Sequence, residues 1–421
     1  MSEAPVVPSP AETNPADIDP YTLPLDAINV AQGRLFQEDV IYPWFERLRN
    51  EAPVHYCAES EFGPYWSVTR YEDIMYVDTH HKIFSSETGI TIGDQDEDFT
   101  LPMFIAMDPP KHDVQRKTVQ GVVSPRNLSL LEPLIRERAG KILDELPIGE
   151  EFNWVEHVSI ELTTQMLATI FDFPFEDRRK LTRWSDVATA SPESGIIESE
   201  DQRRAELIEC LEYFTRLWNE RVNSEPGNDL ISMLAHGEAT RDMHERPFEY
   251  LGNLILLIVG GNDTTRNSIT GGVYALNKFP EEYAKLKADH SLIPNMVSEV
   301  IRWQTPLAHM RRRALEDHEV NGQLIKKGDK VVMWYVSGNR DTAQFEDPDR
   351  LIIDRPNARS HVSFGYGIHR CMGNRLGEMQ LRIIWEEIMK RFSHIEVLGE
   401  PTRSLSAFVK GYSHLPVKLH V

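Results

Sequence analysis

The chain predicts a mainly α-helical protein carrying small antiparallel β-sheets, on three observations. Apolar residues recur at spacings of three and four through residues 127–146, 153–171 and 200–223, the period of a helix with one buried face. A longer helical pattern fills 250–277. Alternating stretches rich in β-branched and aromatic residues are few and short: 64–69, 318–325 and 330–336, the last two joined through a Lys327-Gly328-Asp329 turn.

The elements follow in order. Residues 1–20 hold Pro5, Pro8, Pro10, Pro15 and Pro20 with little apolar content, and are expected to form a mobile N-terminal arm. After the 64–69 strand, residues 71–78 turn helical. Residues 86–98 are Gly- and Asp-rich without periodicity, the kind of long loop that covers a site. Another irregular patch, 189–199, separates two helical patterns. No linker divides the 421 residues, so one domain over 21–421 is expected. The apolar run 254–259 is far shorter than the ~20 residues of a membrane span; with no signal-like segment, a soluble, cytoplasmic protein is expected.

Charge and cysteine content exclude several functions. Against 45 Lys and Arg stand 66 Asp and Glu, a net charge of −21, which argues against sequence-independent nucleic-acid binding. Cations nevertheless gather around residues 111–117 and 364–373, leaving room for a local basic face. Cys57, Cys210 and Cys371 lie far apart; their spacing suits neither a disulfide framework nor a zinc site.

Three constellations carry chemistry. In Phe364 to Gly373, FGYGIHRCMG, one cysteine sits among three glycines, His369 and Arg370 just before a helical pattern. Glycines permit backbone angles closed to other residues and close approach to a flat partner. The free N–H groups of a helix start favour a thiolate, the form that binds metal. An inert buried thiol remains the alternative on these residues alone. In the second, Gly260-Gly261-Asn262-Asp263-Thr264-Thr265 interrupts the longest helical pattern. Each glycine costs roughly 1 kcal/mol there relative to alanine, yet opens the backbone to a cofactor or small gas, while a threonine hydroxyl can bond back to a carbonyl. A kink with a solvated acid is the plainer alternative. In the third, Glu299 and Arg302 pair at i and i+3, a weak signal that recurs at Glu176 with Arg179 and at Glu200 with Arg203.

Together these motifs resemble the cytochrome P450 family over nearly the whole chain from about Tyr21. Phe364-x-x-Gly367-x-His369-x-Cys371-x-Gly373 is similar to its haem-binding loop, with histidine where arginine is more usual. The resemblance implies the P450 fold and haem b, with Cys371 as the proximal thiolate ligand to iron. Phe364 and Gly365 then pack beside the haem, and His369 contacts a propionate. Sulfur matters because thiolate pushes electron density onto the iron and favours O–O cleavage. The Gly260 to Thr265 segment resembles the family's oxygen-binding groove, which gives Thr264 the bound dioxygen and Asp263 the proton relay. Order along the chain singles out Glu299 and Arg302 as the structural salt bridge, with Arg350 of Pro348-Asp349-Arg350-Leu351 as its expected third member. His112 and Arg116 resemble a His-x-x-x-Arg propionate clamp. Arg312 falls where a further propionate contact belongs, with Arg311 and Arg313 as its rivals by one residue.

By position, Leu256, Val259, Gly260, Leu307 and Phe408 are expected to face the distal pocket. All are apolar or lack a side chain, which suits a hydrocarbon held by shape. Residues 305–312 and 361–371 look like the soluble bacterial branch that hydroxylates medium-chain alkanes and fatty acids at the terminal methyl; a terpenoid or steroid is the second substrate class. The resemblance implies an O2-dependent monooxygenase fed by a separate ferredoxin and its reductase, since no Cys₄ cluster can be built from three cysteines. The rivals are a peroxide-driven peroxygenase, which Asp263-Thr264 speaks against, a haem sensor without a signalling domain, and a Cys371–His369 hydrolase whose two groups sit too close in sequence to face each other.

Overall fold

A 32-residue helix, Pro247–Lys278, runs through the middle of the molecule, and the computed structural model describes residues 14–87 and 89–421 around it. The helices Glu161–Phe171, Arg179–Thr189, Ile293–Gln304 and Asn374–Arg391 pack on it. It stays unbroken through Gly260 and Gly261; Thr264 Oγ1 donates to Gly260 O at 3.0 Å and Ser268 Oγ to Thr264 O at 2.8 Å. Its flanking helices start where capping chemistry directs. Ser124 caps Pro125–Asp144 and Ser199 caps Glu200–Val222, each hydroxyl accepting the N–H three residues on.

The 153–171 pattern resolves into three pieces rather than one helix: a strand Glu151–Asn153, a π-helical turn Val155–Ile160 and the α-helix Glu161–Phe171. The wide turn carries Ser159 to the central helix, where its hydroxyl meets Thr270 Oγ1 at 2.8 Å. Apolar spacing cannot separate these pieces because buried residues recur through all three.

A five-stranded sheet has the order Val54–Cys57, Tyr65–Val68, Lys330–Met333, Met310–Ala314, Phe84–Ser85. Its Tyr65–Val68 and Lys330–Met333 pair is parallel, the others antiparallel. Two expectations change here. Residues 318–325 fold back on themselves as a hairpin through Asn321 and Gly322, both at positive φ. Residues 330–336 stop being a strand at Met333 and enter the helix Tyr335–Gly338. The true partner, Met310–Ala314, hides behind three consecutive arginines. Elsewhere Pro416–His420 joins Glu151–Asn153 to His394–Val397, and Thr402–Arg403 pairs with Tyr412–His414.

Of the expected arm, residues 1–13 lie outside the described residues; Pro20 is buried, and Arg47 Nη1 donates to its carbonyl and to that of Leu23. Among the described residues no helix is long and apolar enough to cross a membrane.

Candidate active site

The cysteine loop is shaped by backbone demands. Gly365 and Gly367 have φ of 63° and 64°, and a Cβ on Gly367 would lie 2.5 Å from Asp78 O. Only glycine fits there. The turn brings Cys371 N to Phe364 O at 2.8 Å, three residues before the helix Asn374–Arg391 capped by Gly373. Cys371 is a free thiol open to the large internal cavity yet deep within the protein. Burial pushes its pKa up, against the Gly373 and Asn374 N–H groups and the Arg116 and Arg370 guanidiniums, which favour thiolate. Such a thiol needs a cation to ionise fully, as an iron would supply. Cys57 and Cys210 lie buried away from the cavity.

That cavity encloses about 1110 Å³. Cys371, Phe364 and Gly365 line one wall; Leu256, Val259, Gly260 and Thr264 of the central helix, with Leu307 and Phe408, line it elsewhere. The two helix glycines do different things. A Cβ on Gly260 would meet nothing within 4 Å, whereas one on Gly261 would come 2.9 Å from Leu167 Cδ1. Gly260 keeps the cavity open; Gly261 lets two helices approach.

Asp263 does not line the cavity. It is wholly buried on another face of the helix, where its Oδ1 accepts from Ser185 Oγ at 3.0 Å and meets Arg266 Nη2 at 3.0 Å. Its Oδ2 has no partner. Burial raises its pKa to about 6, against the Arg266 guanidinium, with Asp186 adding to the rise. Arg266 in turn reaches Asp186, which is 29 % exposed, at 2.6 Å. A charged ladder therefore leads from solvent to the acid beside Thr264.

Cations gather at the cavity's other side. Arg312 lines it and is held by Asp78 at 2.6 Å, while Arg311 and Arg313 do not line it. Arg116 and His369 also line it; Arg116 Nη2 donates to Arg370 O at 2.5 Å. His112 does not line it but sets its ring edge against His369, centroids 4.4 Å apart. His112 Nε2 and both nitrogens of His369 are buried without partners. Burial first, then Arg312, lowers the His369 pKa to about 2. Orphaned donors beside two guanidiniums await an anion.

The Glu299–Arg302 pair is wholly buried, Nη2 to Oε1 at 2.7 Å, and Arg302 also donates to the carbonyls of Asn339, Pro348 and Arg350. Its third member corrects the sequence reading. Arg350 offers only its carbonyl, and its half-exposed side chain turns to Glu281 at 2.5 Å. Arg355 takes the place, with Nε 3.0 Å from Glu299 Oε1. Asp347, Pro348 and Asp349 precede Arg350, the setting of a surface turn; Ile352, Ile353 and Pro356 around Arg355 were the missed signal. Asp78, which holds Arg312, and His309, which lines the cavity, carried no signal of their own.

A flat cofactor lying between the thiol wall and the small-residue face of the central helix, with its acidic edge toward Arg116, Arg312, His112 and His369, would satisfy the lone thiol and the orphaned donors at once. That chemistry defines the class: a haem-thiolate protein. Comparison agrees. The cytochrome P450 family model matches residues 199–413. The chain is 34% identical to linalool 8-monooxygenase of Pseudomonas putida over 91% of its own length and 97% of that protein's. It is 31% identical to a methyl-branched lipid omega-hydroxylase of Mycobacterium tuberculosis, over 97% and 96%. The solved structure of cytochrome P450-153 from Novosphingobium aromaticivorans superposes with a TM-score of 0.88 at 48% identity, covering 93% of this chain and 99% of that one. This chain belongs to the cytochrome P450 family. It is a monooxygenase that uses haem with cysteine thiolate ligation, O2 and redox partners.

Proposed function

We propose that the protein hydroxylates the terminal methyl of medium-chain alkanes or fatty acids, with Cys371 as the haem ligand and a ferredoxin as electron donor. The observation that carries the substrate class is the part of the cavity lining formed by Leu256, Val259, Leu307 and Phe408 with Gly260, none of which offers a charge. Such a wall holds a hydrocarbon by shape and dispersion. The lipid omega-hydroxylase among the relatives supports the position of attack.

Haem, when bound, supplies the activation of O2 and the insertion of one oxygen atom into a C–H bond. The chain's own residues do the rest. Phe364, Gly365 and the Cys371 N–H fix the sulfur's direction through the loop's backbone bonds. Arg116, Arg312 and His369 would hold the propionates, with His112 packed behind His369. Thr264 holds its hydroxyl against the Gly260 carbonyl, from which it can turn to donate into the cavity. Asp263, its pKa raised by burial to about 6, is placed to take up and release a proton near neutral pH, and Asp186 with Arg266 connects that acid to solvent.

Incubating the reconstituted enzyme with decane, dodecanoic acid, linalool and a steroid, with product analysis by mass spectrometry, tests the substrate. Terminal alcohols from the first two support the reading. Turnover of linalool or the steroid alone would transfer it to the terpenoid class that the linalool 8-monooxygenase relative represents.

A further inference from the structure

His309 is fully buried, lines the cavity and uses both ring nitrogens. Nδ1 lies 2.9 Å from Ala407 O, and Nε2 lies 3.1 Å from Ile92 N. A carbonyl can only accept and an N–H can only donate, so the ring is the neutral tautomer with its proton on Nδ1. Burial keeps it so, lowering its pKa to about 4. The two bonds join segments that lie far apart in sequence and both line the cavity: the loop 90–93 and the turn 405–408.

The surroundings fix the ring, and the loop's Ile92 N–H is bonded to it. Trp334 meets it at 64° with centroids 4.9 Å apart, and Phe408 packs on its other side at 5.3 Å. The 405–408 turn has its own backbone support, since Ala308 N donates to Phe408 O at 2.8 Å and Lys410 N to Pro306 O at 2.9 Å. The 90–93 loop belongs to a stretch without regular structure. Beyond His309 it is anchored by Arg311, whose N–H donates to Ile90 O at 2.8 Å and whose Nη1 donates to Gly93 O at 3.0 Å. Arg311 Nη1 also reaches Thr91 O at 3.4 Å and Ile92 O at 3.5 Å, so Arg311 holds the loop by its carbonyls while His309 accepts from the Ile92 N–H.

We propose that His309 is a specificity-determining positioning residue, tying the 90–93 loop to the 405–408 turn so that Ile92 and Phe408 keep the cavity narrow and present only the end of a chain-like substrate. The product readout rests on the terminal-hydroxylation reading above; the structural tie does not. Selecting a terminal C–H over weaker internal ones needs the chain held within about an ångström of one pose. A loop free to move by more than that would admit the internal carbons.

Three variants of the holoenzyme separate the links. His309→Phe keeps the ring and loses both bonds; His309→Asn can still donate to Ala407 O; His309→Gln can still accept from Ile92 N–H. Hydrogen exchange should show the Ile92 amide opening roughly tenfold faster in the Phe and Asn proteins and near the wild-type rate in Gln. With decane, the Phe and Asn proteins should bind roughly tenfold more weakly by spin-state titration and shift product from the terminal to internal alcohols, while haem content and the carbon monoxide spectrum stay as in wild type. Lower thermal stability with an unchanged product ratio would make His309 merely structural and overturn the proposal, as would an unprotected Ile92 amide in wild type. If the Phe protein fails to hold haem, Asn against Gln decides by the same readouts. A wild-type enzyme that leaves decane untouched overturns the substrate reading alone, and the exchange arm then still decides whether His309 holds the loop.

Discussion

Asp263 and Thr264 are neighbours in sequence with opposite surroundings, and that contrast predicts how each variant fails. Thr264 faces the cavity, so Thr264→Ala should keep haem and substrate binding, lose about a hundredfold in oxygenation and release the electrons as peroxide. Equal coupling in the variant, measured as product per reductant consumed, would remove Thr264 from proton delivery. Asp263 is buried with a pKa raised to about 6, so the folded state holds its proton more tightly than the unfolded chain does. The stability this brings is fully present below about pH 4, the unfolded value, and is lost as pH rises through 6. Asp263→Asn should therefore flatten the stability profile between pH 4 and 7, by at most about 3 kcal/mol, less whatever Arg266 forfeits in keeping only Asp186. Denaturant unfolding at pH 5 and 7.5 measures it; parallel profiles for both proteins would contradict the raised pKa.

At the scale of elements, the buried Glu299 network joins the helix Ile293–Gln304 to the irregular stretch 339–355, which leads to the cysteine loop. Arg355→Ala leaves Glu299 with one cation instead of two in a site closed to water, and should cost about 3–5 kcal/mol together with most haem retention. Arg350→Ala removes a half-exposed pair with Glu281 and should cost no more than about 1 kcal/mol. Urea midpoints and haem content compare the two directly, and the reverse ranking would restore Arg350 to the network. The same contrast explains what was legible. Helices 125–144, 200–222 and 247–278 declared themselves because one buried face repeats along each. The strand Met310–Ala314 did not, because Arg311 is capped by loop carbonyls, Arg312 by Asp78 and the cavity, and none of that pairing appears in a run of three like charges. The third cation was misplaced for the same reason: burial, not identity, separates Arg355 from Arg350.

Over the whole molecule, the cofactor wall was legible and the rest of the cavity only partly so. Cys371, Gly260 and Thr264 sit in short motifs whose spacing carries their geometry. Ile92, His309 and Ala407 meet only when three distant segments fold together, so no local pattern announces them. Charge distribution is also a property of the whole, and it carries the remaining prediction. The chain bears −21 overall, yet Lys117, Arg126, Arg359, Arg370 and Arg375 are exposed on the segments that frame the Cys371 loop. An acidic electron donor is repelled by most of this surface and drawn to that one. If a ferredoxin docks there, its kcat/KM should fall steadily as salt rises from 20 to about 300 mM, because exposed charges are screened beyond about 10 Å already near 0.1 M. Lys117→Glu and Arg375→Glu should each lower that constant about three- to tenfold, mainly through slower association. Both should leave decane binding and the carbon monoxide spectrum unchanged, since neither side chain lines the cavity. Rates insensitive to salt and to both reversals would move the donor to another face, while loss of the spectrum would show instead that these cations support the haem loop itself.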